Sequence, residues 1–202
     1  MKKVGLIFVS ISALLLGACG NSTASEDGKL NIVTTFYPVY EFTKQVAGDE
    51  ANVDLLVKAG TEVHDYEPSA KDIARIQEAD VFVYENKNME TWVHDVEESI
   101  DTSKVSVIRA TEGMLLLPGS EEGEDHDQSE EGHSHPYDPH VWFSMDIDSS
   151  IAEKIKNVLS EKYPEKKDIF EKNYSDFISE INTFNTELKN ILSDKKSKIF
   201  VI

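Results

Sequence analysis

The sequence predicts an α/β protein: an N-terminal lobe with a four-stranded, mainly parallel sheet flanked by helices, followed by one long helix. Three observations predict it. From Leu30 onward, short apolar runs alternate with amphipathic segments, the pattern of strands joined by crossover helices. From Glu165 to about Ser193 there is no proline or glycine, and Phe170, Tyr174, Phe177, Ile181, Phe184, Leu188, Ile191 and Leu192 recur at steps of three and four. The chain then closes on a short apolar run, Lys198-Ile199-Phe200-Val201-Ile202, which reads as the first strand of a second, missing lobe.

Each element has a local cause. Asn31 to Phe36 reads as a strand, and Pro38 suits the first turn of a helix carrying Val39, Phe42 and Val46 on one face, with Gly48 closing it. Val53 to Val57 is a second strand. Ser69-Ala70-Lys71-Asp72 resembles a capping box and opens a helix that turns Ile73, Ile76 and Ala79 inward. Val81 to Tyr84 is a third strand, Met89 to Ile100 a third helix, and Val105 to Ile108 a fourth strand. After an acidic loop, Asp146 or Asp148 is placed to cap a helix running to about Lys162, where Tyr163-Pro164 interrupts the chain. The long helix that follows would reach about 40 Å at the helical rise per residue, and the absence of a sustained heptad argues against a coiled coil.

Composition narrows the function. The chain has 202 residues, 40% hydrophobic and 29% charged, as an ordinary globular protein does. Its formal net charge of -18 argues against a nucleic-acid surface, which needs clustered Lys and Arg. Lys2 and Lys3 precede an apolar run from Val4 to Leu16, too short to span a bilayer and of signal-peptide size. That run ends in Leu16-Gly17-Ala18-Cys19, which resembles a bacterial lipobox with Cys19 as the lipid-attachment residue. Residues 1–18 are then the signal peptide and residues 19–29 a lipidated, flexible tether. Cys19 is the only cysteine, so neither a disulfide framework nor a thiolate metal site is available.

Histidine carries the chemistry. His140 lies in Asp138-Pro139-His140-Val141-Trp142, where Pro139 biases Asp138 toward extended backbone and Val141, Trp142 and Phe143 are available for burial beside the imidazole. His64 lies between the second strand and the capped helix, at the carboxyl edge of the sheet, where open parallel sheets bind ligands. Two imidazoles are too few for a closed zinc site, which takes four N, S or O donors. The loop of residues 119–136 adds His126, His133 and His135 among many carboxylates, a set able to hold a divalent ion transiently. Histidine is largely neutral near pH 7, with an ordinary pKa of ~6.5. Imidazole suits zinc and other late divalent metals, whereas magnesium or calcium calls for oxygen donors.

Five segments occurring in order resemble a known family: Thr34-Thr35-Phe36-Tyr37-Pro38, His64-Asp65-Tyr66-Glu67-Pro68, Ala79-Asp80-Val81-Phe82-Val83-Tyr84, Met89-Glu90-Thr91-Trp92 and Asp138-Pro139-His140-Val141-Trp142. They resemble the metal-binding solute-binding lipoproteins of bacterial zinc and manganese ABC transporters, in the zinc-uptake branch, over essentially the whole mature chain. The resemblance implies an N-terminal αβ lobe at 30–145, a helical segment at 146–196 and the start of a truncated C-terminal lobe at 197–202. It implies Zn2+, with Mn2+ as the second choice, as transported ligand. His64 and His140 are the implied ligands from this lobe, and a further histidine and a carboxylate or water are expected beyond Ile202. The implied partners are an ABC permease with its ATPase, the membrane through the lipid anchor, and host surface proteins if the fold also serves as an adhesin. Where relatives carry a glycine-initiated turn before the Met-Glu pair, this chain has Glu85-Asn86-Lys87-Asn88. His94 is an exposed-looking residue on the third helix, and Trp92 and Trp142 read as packing residues. A metallohydrolase is the competing class, but no placed general base supports it, so no enzymatic activity is expected.

Overall fold

Apolar runs that can bury both faces settle into the middle of a parallel sheet, and runs that bury one face settle at its edge. The computed structural model describes residues 28–119 and 137–195. Its sheet has four strands, β1 (Leu30–Thr34), β2 (Ala51–Leu55), β3 (Val81–Tyr84) and β4 (Ser106–Arg109), in the order β2-β1-β3-β4. All three pairings are parallel, with Ile32 opposite Val53 and Val81, and Val83 opposite Ile108. The fully buried Val81-Phe82-Val83-Tyr84 is central; Ala51 to Leu55, whose Asn52 and Asp54 face solvent, is an edge.

Alternation along the strands divides the core into two layers. Ile32, Val81 and Val83 point to one face, under helices α1 (Tyr37–Ala47), α4 (Met145–Lys162) and α5 (Lys167–Ser193). Val33, Phe82 and Tyr84 point to the other, under α2 (Ala70–Glu78) and α3 (Val93–Ser99). Pro38 stands in the first turn of α1 as its missing N–H allows. Gly48 ends that helix at φ 57°, and an added Cβ would meet Asn173 Nδ2 of α5 at 2.6 Å. The same amide donates to Val46 O at 3.1 Å, so α5 docks on the end of α1 through the space that glycine leaves. In α2, Ser69 and Asp72 form the expected capping box, with Ser69 N donating to Asp72 Oδ2 at 3.0 Å.

Three expectations need correction. The third helix begins at Val93 rather than Met89. The residues before it are held in turns because Asn86 Oδ1 accepts from Asn88 N and Met89 N, and Glu90 turns its carboxylate back onto Glu85 N and Asn86 N. Side chains that bond nearby backbone in this way compete with helix formation. Neither Asp146 nor Asp148 caps α4: Ser144 occupies that position without a side-chain bond, and Asp148 is buried with Oδ1 lacking a hydrogen-bond partner among the described residues. Phe143 is 70% exposed rather than buried.

The long helix runs unbroken for 27 residues. Phe170 and Ile181 are buried in the lobe, whereas Phe184, Ile191 and Leu192 on its later turns are exposed. The apolar run at 198–202 lies outside the described residues.

Candidate metal centre

In a β2-β1-β3-β4 sheet the chain runs outward in both directions from β1 and β3, so the loops at the carboxyl ends of those strands part and leave a crevice. The two candidate imidazoles come from connections on either side of that point. His64 lies in the connection from β2 to α2, and His140 between β4 and α4. Their ring centres are 5.8 Å apart at an interplanar angle of 69°. Zinc–nitrogen bonds of about 2.0–2.1 Å, with about 1.2 Å from a nitrogen to its ring centre, put two tetrahedrally arranged imidazoles about 5 Å apart, so little movement would let both reach one ion.

The loop carrying His64 is held by its neighbours. Tyr66 meets Trp92 edge-on at 5.7 Å, its hydroxyl bonds to Asp72 in the first turn of α2, and His64 N donates to Glu62 Oε1. His140 is gripped more closely. Asp138 Oδ1 accepts from both its backbone N, at 2.9 Å, and its Nδ1, at 2.8 Å. These bonds from His140 hold the Asp138 carboxyl below its ordinary range, backbone N–H first, so it is a carboxylate and can only accept. Nδ1 therefore donates in this bond, which leaves Nε2 as the nitrogen through which a neutral ring could ligate. Trp142 stands edge-on to the His140 ring at 5.4 Å and to Phe36 at 5.3 Å. Trp142 thus fixes the imidazole as well as packing the lobe. His140 still has 47% of its side chain exposed, the access an incoming ion requires.

Three buried acids at the same end of the sheet had no signal in composition or spacing. Glu90 is fully buried and takes the Thr35 hydroxyl at 2.6 Å together with Glu85 N and Asn86 N, tying the end of β1 to the end of β3. Its pKa is raised to about 7 because desolvation outweighs those bonds. Glu85 is pushed up to about 10, by burial first and then by the charges of Glu90, Asp148 and Asp138. Burial alone raises Asp148 to about 7. The Met-Glu-Thr-Trp motif contained Glu90, but nothing in the sequence distinguished a buried carboxylate from a solvated one.

Among the described residues no group of three or more His, Cys, Asp or Glu side chains can hold a metal ion, so this region supplies a pair of donors rather than a closed site. His94 does not join them; its Nε2 lies 3.7 Å from Glu98 Oε1 on α3. His126, His133, His135 and Cys19 lie outside the described residues.

The fold is an αβ lobe with a doubly covered parallel sheet, a candidate imidazole pair at its carboxyl edge and one long helix after it. The chain belongs to the family described as zinc-uptake complex component A, periplasmic (ZnuA), which matches residues 32–202. That is a family of metal-binding transport components, not of enzymes. The chain is 56% identical over 202 residues to the zinc-binding lipoprotein AdcA of Streptococcus pneumoniae, a match that takes in all of this chain and 40% of that protein. It is 40% identical over 206 residues to the high-affinity zinc uptake system protein ZnuA of Bacillus subtilis, covering 99% of this chain and 65% of the relative. The crystal structure of Zn(II)-bound AdcA from S. pneumoniae superposes with a TM-score of 0.74 at 53% identity, over 85% of this chain and 34% of that one. The chain therefore spans between two fifths and two thirds of the length of these curated relatives.

Proposed function

We propose that the protein is the extracytoplasmic zinc-binding component of an ABC importer, which captures the ion and hands it unchanged to a membrane permease powered by its ATPase. The observation that carries this reading is the His64–His140 pair, with rings 5.8 Å apart at the carboxyl edge of the sheet in a member of the zinc-uptake family. Neutral imidazoles suit zinc, and the relatives named above are described as zinc-binding or zinc-uptake proteins. Manganese is the second choice on the same donors.

Two imidazoles leave two positions of a tetrahedral ion to be filled. A second αβ lobe, carried by the exposed apolar stripe of Phe184, Ile191 and Leu192 on α5, would supply those donors across the crevice. The protein would be held at the membrane through lipid on Cys19, with His126, His133 and His135 collecting ions near the deeper pair. Delivery rather than hydrolysis is favoured because the ion is itself the cargo. The surface-adhesin reading on the same fold is not better supported.

The test is calorimetric titration with zinc of a full-length version that carries the remaining donors. His64→Ala and His140→Ala should each weaken tight binding by at least a hundredfold; unchanged affinity in either would remove that residue from the site.

A further inference from the structure

Asp138 is two residues from His140 and touches it twice through a single oxygen. Its place is itself fixed: Asp138 N donates to Leu117 O at 2.9 Å, beside the antiparallel bridge between Pro118 and Tyr137, and Pro139 is buried. The oxygen that receives the imidazole is therefore attached to backbone anchored to the segment that follows β4, at Leu117 and Pro118. Trp142, edge-on to the ring and itself packed on Phe36, limits rotation from another side.

We infer that Asp138 is a positioning residue for metal capture: it holds His140 in the Nδ1–H form and in one orientation, so that Nε2 faces the ion beside His64. A free neutral imidazole carries its proton mainly on Nε2, the nitrogen that must be bare here. A ring without the Asp138 contact would have to shift that proton and stop turning before it could ligate. The carboxylate also raises the donor strength of the ring, as outer partners of metal-bound histidines do. The inference rests on His140 being a zinc ligand, and its test separates the two ideas.

The measurement pairs zinc affinity, by competition with a chelator of known strength, with 15N NMR of histidine-labelled, metal-free protein at pH 8, where the two ring nitrogens report the tautomer. His140→Ala assigns the signal. The parent should show Nδ1–H for His140. Asp138→Ala should move the proton largely to Nε2 and weaken zinc binding ten- to hundredfold. Asp138→Asn keeps a side-chain oxygen that can accept from both the backbone N–H and the ring Nδ1–H of His140, and should therefore retain Nδ1–H and recover part of the affinity. This variant also covers the case in which alanine disrupts the turn. A purely structural role for Asp138 would leave the tautomer in place. The inference is overturned if Asp138→Ala retains Nδ1–H, or if it binds zinc within twofold of the parent while His140→Ala does not. If His140→Ala binds zinc normally, the zinc-site reading fails first and takes this inference with it.

Discussion

Replacing Glu85 with glutamine should make the metal-free protein more stable at neutral pH and leave it unchanged in acid. Glu85 is 1% exposed, and its pKa is raised from 4.5 to about 10, chiefly by burial and secondarily by Glu90, Asp148 and Asp138. A carboxyl with a raised folded pKa binds its proton in the folded state while the unfolded chain has already released it. Its contribution is thus fully present below the unfolded pKa, near 4.5, and is lost progressively as pH rises toward about 10. At pH 7 folding must take up one proton against roughly 2.5 pH units, which costs about 3 kcal/mol at ~1.4 kcal/mol per unit. Glutamine needs no proton, and its side-chain oxygen can still accept from Asn86 Nδ2, which donates to Glu85 Oε2 at 3.1 Å. Urea denaturation of parent and Glu85→Gln between pH 4 and 8 should therefore give two curves that coincide near pH 4 and separate by up to about 3 kcal/mol at pH 7. A variant less stable than the parent at pH 7, or a difference that does not widen with pH, would refute this account of the buried acid.

Three further substitutions probe how α5 is fastened to the lobe. Gly48→Ala puts a side chain at φ 57° and within 2.6 Å of Asn173 Nδ2, so it should lower stability by about 1–2 kcal/mol in the same denaturation assay. Adding Asn173→Ala should relieve the collision but not the backbone strain, leaving the double variant less destabilised than the sum of the two singles. Phe170→Ala empties a site that is fully buried among the α1, α4 and α5 side chains and should cost about 3–5 kcal/mol, read as a lower urea midpoint. A loss under 1 kcal/mol would mean that α5 is not held through that ring.

The match between expectation and structure follows the range of the interaction that decides each element. Capping of α2 by Ser69 and Asp72, the proline entry and glycine exit of α1, and the uninterrupted α5 all depend on residues within a turn or two of one another. Those patterns stand in the sequence. The start of α3 does not, because Asn86 and Glu90 spend their side chains on backbone groups that a helix beginning at Met89 would have used differently. The ends of strands are close to expectation, since Leu56 N and Val57 N continue the bonding of β2 to Thr34 O and Thr35 O past the regular ladder. At the site, His64 and His140 are legible as residue types in marked loops. Asp138 was visible only as part of a motif, and its hold on His140 required the turn to be folded.

By itself the sequence determined the alternation of strands and helices, the long helix, the acidic character of the chain and the choice of His64 and His140 as candidates. Strand order, and with it the meeting of His64 and His140, was decided only by tertiary structure, because local periodicity says which face of a strand is apolar but not which strand lies beside it. The same holds for Glu85, Glu90 and Asp148. A carboxylate reads alike in any sequence, and only the packing around it decides whether it remains a solvated charge or becomes a buried acid with a raised pKa.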